Sequence, residues 1–364
     1  MPAPVPVEIL SATVTDVRPL ASMLRALNFR PKAVMEIRDH GIKITVEEGR
    51  SIQAAAYLTS NSFASYSFTL EAPARASPTP STDSQDMEDD APHCIFGISL
   101  STVLECLNIF GNATASGGGG GKEWPRRMSD QAELEKKDDG KVTSMRMSYS
   151  GEGEPLVLLL EESGIVTRCE ITTYEPDTLM DLAFDDDTRV QKLIMKSEWL
   201  RDAFLELDPS SEKVAFMFSP AGNAPMPYNR YASSHRRRGG HGGDMDDDED
   251  VEVPSIFRLE AIGTLGSTEM DYPNDKDVLE TFECFQPTSN SYKFGHMQLT
   301  TKALVASTKV SIRTAEDGLL SFQFMIPVSG RVSKGAEAKV CFVEFLVSPL
   351  RASSRRVLQE AEQR

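Results

Sequence analysis

Residues 16–29 read Asp16-Val17-Arg18-Pro19-Leu20-Ala21-Ser22-Met23-Leu24-Arg25-Ala26-Leu27-Asn28-Phe29, and their periodicity opens the reading of the whole chain. Val17, Leu20, Leu24 and Leu27 recur at intervals of 3, 4 and 3, the apolar stripe of an amphipathic helix. Asp16 is placed to cap that helix, and Pro19 is tolerated in its first turn. Short apolar runs at 33–37, 42–46, 52–58 and 66–70 then predict strands. A second helix is predicted over 101–110, stopped by Gly111. It carries Leu104-x-x-Leu107-Asn108, the pattern of Leu24-x-x-Leu27-Asn28, 80 residues further on.

The same unit recurs twice more. Strands are predicted at 143–149, 156–160 and 165–172, then a third helix over 197–207. Its apolar set is Trp199, Leu200, Ala203, Phe204 and Leu207, all expected in the core. Strands at 214–218 and 255–262 follow, then a short helix over 300–305 and strands at 309–313, 319–326 and 340–347. Asp39-His40-Gly41, Glu162-Ser163-Gly164 and Glu316-Asp317-Gly318 each precede an apolar run, where glycine supplies the positive φ of a tight turn. A helix followed by strands, four times over, predicts an α+β protein of two similar domains. Its helices should lie on one face of antiparallel sheets. The plainer alternative is an ordinary α+β fold whose repeat is fortuitous.

Four stretches break the pattern: 72–92 (rich in Pro, Ser and Asp), 112–142 (five consecutive glycines), 220–254 (Arg236-Arg237-Arg238 running into an acidic block) and 327–339. Such composition buries too little apolar surface to offset ordering, so these are expected to be flexible insertions. The domains then read as 1–172 and 189–348, joined by an acidic, Pro-containing connector at 173–188, with a charged tail at 349–364. The formal charge of the 364 residues is −17, and it stays strongly negative when the insertions are set aside. Evenly spread, it would disfavour a nucleic-acid partner.

Five cysteines, at 94, 106, 169, 284 and 341, form no CxxC pair, and no histidine stands near a second ligand at a spacing suited to zinc. No zinc site or other cofactor is expected, and reduced thiols in an intracellular protein are the simplest reading. The start of the chain has neither the charge nor the apolar run of a signal peptide. The longest aliphatic run, 156–160, is too short to span a bilayer.

Leu104-Glu105-Cys106-Leu107-Asn108-Ile109-Phe110-Gly111 resembles the signature helix of one subunit of the nine-one-one checkpoint clamp. So does the run from Thr301-Lys302-Ala303-Leu304-Val305 to Lys309-Val310-Ser311-Ile312-Arg313-Thr314. Gly41-Ile42-Lys43-Ile44-Thr45-Val46-Glu47, Asp271-Tyr272-Pro273 and Cys341-Phe342-Val343-Glu344 match the same family, in order from about residue 8 to 348. The chain is thus identified as a member of the PCNA-like checkpoint sliding-clamp subunits, of the Rad-one type, with insertions such as fungal members often carry. The resemblance implies a DNA-clamp fold and a nuclear, heterotrimeric ring with two other PCNA-like subunits. Such a ring surrounds double-stranded DNA, is placed there by a clamp loader, and serves checkpoint and repair proteins. It implies a non-catalytic protein.

In a clamp the helices line the hole, so they need basic residues opposite their apolar stripe. Arg18 and Arg25, seven apart, share the outer side of the first helix; Arg201 on the third and Lys302 on the fourth are the other DNA-facing candidates. The second helix offers Glu105 and no cation. A basic inner face on an acidic body reconciles the net charge with DNA, through loose contacts to phosphate rather than to bases. The bland alternative is ordinary solvated helix charges.

Two rival functions stand beside this one. A 3′→5′ exonuclease, an activity sometimes attributed to the family, needs carboxylates converging on two metal ions, yet the densest acids, 244–252, lie in an insertion. A DNA-independent scaffold would use sheet edges alone, with the connector near 174–187 bordering a client-peptide groove. Gly117 to Lys122 fails as a phosphate loop, because the motif needs Gly at position 116 and Ser or Thr at 123, where Ser116 and Glu123 stand. Ser77-Pro78 and Thr79-Pro80 are possible proline-directed phosphorylation sites.

Overall fold

The computed structural model describes residues 8–70, 92–111, 141–180, 182–220, 256–263, 266–327 and 340–350. The four predicted insertions fall almost wholly outside these residues, and so do Ser77, Thr79 and the tail beyond 350. The elements run β1 (Leu10–Val14), α1 (Arg18–Leu27), β2 (Lys32–Arg38), β3 (Gly41–Glu48), β4 (Ile52–Thr59), β5 (Ser65–Phe68), β6 (Cys94–Ser99) and α2 (Leu100–Leu107). There follow β7 (Ser144–Tyr149), β8 (Leu156–Glu162), β9 (Ile165–Ile171), β10 (Arg189–Lys196), α3 (Ser197–Glu206), β11 (Lys213–Ser219) and β12 (Ile256–Ile262). The last are β13 (Ser267–Pro273), β14 (Leu279–Cys284), β15 (Thr288–Lys293), α4 (Phe294–Leu299), α5 (Thr301–Ala306), β16 (Lys309–Ala315), β17 (Leu320–Pro327) and β18 (Val340–Val347). Among the described residues no helix is long and apolar enough to cross a membrane.

The chain divides into two compact units, and it passes from one to the other at several points, three of them inside β16, β17 and β18. The first holds Met1–Ala183, Leu299–Val310 and Phe322–Leu346; the second holds Phe184–Gln298, Ser311–Ser321 and Val347–Arg364. In the first unit an antiparallel sheet runs β5-β1-β7-β8-β9. Strand alternation builds its core: Met145 and Met147 of β7 face inward opposite Leu160 and Leu158 of β8, while Arg146 points out. A second set of strands in this unit is ordered β17-β18-β4-β3-β2-β6. α1 packs against α2, α5 and β4. It buries Leu20, Ala21, Met23, Leu24, Ala26 and Leu27, and full burial of a leucine is worth about 1.5–3 kcal/mol over leaving it in water.

In the second unit β13-β12-β11-β15 form an antiparallel sheet whose inner face is aromatic. Phe216 meets Tyr292 edge to face at 5.4 Å, and Phe218 lies 4.9 Å from Phe257. β14, β10 and β16 are successive neighbours in this unit, and α3 packs on β10.

The predicted turns at Gly41, Gly164 and Gly318 all carry positive φ, at 150°, 84° and 84°. Other expectations need correction. α1 is capped by Val17 rather than Asp16; Asp16 instead accepts the Arg18 backbone N–H at 3.0 Å and pairs with the Arg18 side chain. α2 starts one residue earlier than predicted, because the Ser99 hydroxyl accepts the Thr102 N–H at 3.3 Å. Trp199, expected in the core, is 41% exposed. Ser197, Leu200, Ala203 and Phe204 already fill the buried side of α3, and Trp199 sits roughly 100° from the centre of that side. α4, β1, β6, β10, β13, β14 and β15 had not been anticipated. β13 and β15 are mostly polar and become strands by pairing with β12 and β11.

Candidate nucleic-acid interface

α1 has no acidic residue, and its unburied polar side chains Arg18, Ser22 and Arg25 are spaced 4 and 3 apart. At 100° per residue they lie within about 60° of one another, on the side opposite Leu20, Leu24 and Leu27. Arg18 is not an isolated charge. Its guanidinium grips the Asp16 carboxylate, with Nε 3.0 Å from both oxygens and Nη2 2.7 Å from Oδ2. Arg25 is half-buried, and burial pushes its pKa below the usual arginine value. An arginine starts so far above neutrality that it keeps its charge.

Lys302 projects from α5, which packs against α1. Its ammonium donates to the Asn28 carbonyl oxygen at 2.9 Å, and Asn28 is the C-terminal cap residue of α1. A cation there meets the negative end of the helix dipole and fastens the two helices together. An ammonium has three donors, so this bond leaves capacity for a phosphate oxygen. Arg18, Arg25 and Lys302 therefore come together on two adjoining helices of the first unit.

Arg201, in the second unit, is in different company. The outermost positions of α3 are Glu198, Asp202 and Leu205, and Leu205 is 67% exposed. Arg201 stands to one flank rather than at the centre, so it is not the angular equivalent of Arg18 and Arg25 that its sequence position implies. Its Nη2 lies 2.8 Å from Asp202. With Glu206 on the other flank, α3 presents three carboxylates and one guanidinium. α2 exposes Glu105, as its sequence indicates.

Two features were missed in the sequence because both depend on tertiary contact. Arg30 and Lys32 follow α1 and line a cleft of about 360 Å³ with Thr45, Glu47, Tyr174 and Leu179. The segment that closes this cleft is tied down at several points. Tyr174 exchanges backbone hydrogen bonds with Gly97 at 2.8 and 3.1 Å, and Lys32 lies over its ring. Glu47 accepts the Met180 N–H at 2.6 Å, while Gln53 donates to the Met180 carbonyl at 3.0 Å. In the second unit, buried Arg313 bonds Asp186 and Ser321 at 2.9 Å each and stacks on Phe184 at 4.5 Å. Both halves of the predicted connector are thus held by side chains from strands.

Among the described residues no group of three His, Cys, Asp or Glu side chains is arranged to hold a metal ion. The carboxylate block at 244–252 lies outside those residues.

The family described as "Repair protein Rad1/Rec1/Rad17" matches residues 9–326. A human protein named cell cycle checkpoint protein RAD1 is 33% identical over 93% of this chain and 91% of its own length. The DNA damage checkpoint control protein rad1 of Schizosaccharomyces pombe is 28% identical over 94% of this chain and 87% of its own. A Mycosarcoma maydis protein named DNA repair exonuclease REC1 is 27% identical over 95% and 96%. A match across almost the whole described chain, with antiparallel sheets and few helices beneath it, settles the kinship: the chain belongs to the Rad1/Rec1/Rad17 family of repair proteins.

Proposed function

We propose that this chain is a non-catalytic subunit of a heterotrimeric clamp that encircles duplex DNA in the nucleus and serves the DNA-damage checkpoint and DNA repair. The observation that carries the DNA-facing part is the acid-free face of α1, where Arg18 and Arg25 flank Ser22 and Lys302 joins from α5. Such a face meets phosphates without reading bases, as a sliding ring requires. Arg201 is assigned a lesser share, because it stands on one flank of a helix that presents three carboxylates, whereas α1 itself has none.

The order of elements supports the architecture. Each helical position follows a strand and precedes further strands: β1-α1-β2, β6-α2-β7, β10-α3-β11 and β15-α4-α5-β16. We read this as two clamp domains, 1–172 and 189–348, each of two such repeats, joined by 173–188. Helices then face DNA and sheets face out. Two other PCNA-like subunits complete the ring through edge strands, for which β9 and β13 are the candidates, each lying at the end of its sheet. The cleft beside Tyr174 is the candidate seat for client peptides, and a clamp loader is the expected agent of assembly on DNA. The test is light scattering after size exclusion, alone and with two clamp subunits. A 1:1:1 complex near three times 40.1 kDa is expected; indifference to both partners would overturn the assignment.

A second reading, the 3′→5′ exonuclease, is favoured by the name of the Mycosarcoma maydis relative. It requires a digestion activity that vanishes when carboxylates of the purified protein are substituted. An activity unchanged by those substitutions belongs to a contaminant. A DNA-independent scaffold, the third reading, predicts a ring whose DNA retention ignores Arg18 and Arg25.

A further inference from the structure

One row of side chains crosses an exposed face of four strands in the first unit. Ile95 of β6 stands opposite Glu36 of β2, Glu36 opposite Lys43 of β3, and Lys43 opposite Tyr57 of β4. Ile95 and Tyr57 are each 41% exposed, so the row leaves apolar surface in water. Glu36, Arg38, His40, Lys43 and Tyr57 line a pocket of about 250 Å³ there. Arg38 pairs with Glu36, and His40 bonds Asp39 at 3.0 Å. Lys43 is placed differently. Its ammonium lies 5.6 Å from the centre of the Tyr57 ring, and the Tyr57 hydroxyl donates to Glu344 of β18 at 3.5 Å. Among the described residues no carboxylate pairs with Lys43. A ring face supplies no acceptor oxygen, so the three ammonium donors stay open to one.

The chain itself supplies oxygens close by. Cys94 stands opposite Ile37, so the chain enters β6 beside Arg38 and the pocket. The residues that lead up to it, outside the described ones, include Asp83-Ser84-Gln85-Asp86-Met87-Glu88-Asp89-Asp90, five carboxylates in eight positions. β3 lies two strand spacings from β6, about 10 Å. The four residues from Asp90 to Cys94 span up to about 14 Å, and the eight from Asp86 up to about 28 Å. The acids of this stretch are therefore within reach of Lys43. The other acidic block, 244–252, belongs to the chain between β11 and β12 and does not lead into this pocket. We propose that the stretch 83–90 docks in cis on the pocket, with its carboxylates on Lys43 and Met87 against the exposed rings and methyls of the row.

The consequence is competition. With 83–90 in place the chain covers its own Lys43–Tyr57 surface, and an acidic peptide from another protein has to displace it. Nothing in this contact requires DNA or other subunits, so it stands apart from the ring reading above.

The experiment treats the purified full chain at low salt with a carbodiimide, which joins amines only to carboxylates in contact, and maps the joined peptides by mass spectrometry. An equal mixture of ordinary and isotope-labelled chain separates joins within one chain from joins between copies. The expected product links Lys43 to a carboxylate of 83–90 within one chain, and it loses most of its yield at about 1 M salt, where exposed charges are screened beyond about 3 Å. A link from Lys43 to 244–252 in its place, links mainly between copies, or no link from Lys43 to 83–90 overturns the proposal. A second measurement titrates a fluorescent synthetic peptide of residues 80–92 against the wild-type chain and against a chain carrying Asp83→Asn, Asp86→Asn, Glu88→Gln, Asp89→Asn and Asp90→Asn. Those five positions lie outside the described fold, so the variant is expected to keep it. A tethered competitor acts at a millimolar effective concentration, so neutralising it should tighten peptide binding about tenfold or more. Lys43→Gln should then weaken the peptide again. Equal binding by the wild-type and neutralised chains overturns the proposal.

Discussion

Arg18 shows how one neighbour sets the worth of a charge. A bidentate carboxylate contact neutralises it in place, so phosphate must compete with Asp16. Asp16→Asn keeps an oxygen to accept the Arg18 N–H but removes the competing charge. In the assembled ring it should tighten duplex binding several-fold and steepen the salt dependence by about one unit of slope. Arg25→Gln should do the reverse, flattening the slope by about 0.9, and anisotropy titrations across salt concentration measure both. Arg313 is the structural counterpart, with a side chain only 8% exposed. Arg313→Leu removes the bonds to Ser321 and Asp186, at an expected cost of about 1–2 kcal/mol, since Asp186 is exposed and its ion pair is worth little. Urea unfolding would give the loss, and faster proteolysis at 182–188 would show the freed connector.

Elements depend on backbone geometry that a few residues permit. Gly41 opens β3 with φ of 150°, and a Cβ there would lie 2.2 Å from the Leu58 carbonyl oxygen. Because the obstacle is backbone, it cannot swing aside. Gly41→Ala should cost roughly 3 kcal/mol or more, read as a lowered denaturation midpoint with an unchanged slope. α3 acts on its surroundings through its field. Burial, then Glu206 and Asp202, push Tyr272 of β13 up to about 12. That lies above the unfolded tyrosine value of about 10, so the contribution to stability is fully present below pH 10 and is lost as pH rises through 12. Glu206→Gln should lower this value, and ultraviolet titration against Tyr272→Phe would detect it; no change would show that α3 does not reach the ring.

For the whole molecule, the net charge of −17 and a DNA partner are compatible only through segregation of charge. Arg18 and Arg25 on α1 and Lys302 on α5 group together in the first unit, whereas α3 is acidic. In the proposed ring this subunit therefore holds DNA unevenly. Ile165 and Val166 belong to the same scale, as exposed β-branched side chains on an edge strand. Ile165→Lys with Val166→Lys should leave the Tm of the isolated chain within a degree or two, because neither side chain is buried. It should abolish the 1:1:1 complex, because charge on an edge blocks strand addition. Retention of the complex would move the interface away from β9.

Local pattern alone located α1, α2, α3 and α5, most strands and the glycine turns, because helical and strand periods and positive φ are properties of neighbouring residues. It also singled out Arg18 and Arg25, since residues seven apart on a helix must share a side. Tertiary structure decided the rest. Polar β13 and β15 are strands only because β12 and β11 offer them partners. Asp16 was left to bind Arg18 once Val17 took the cap, and Trp199 was turned outward by a core already filled. A sequence states what each residue can do with its near neighbours; burial and partner are set by atoms far along the chain, and those choose which capacity is used.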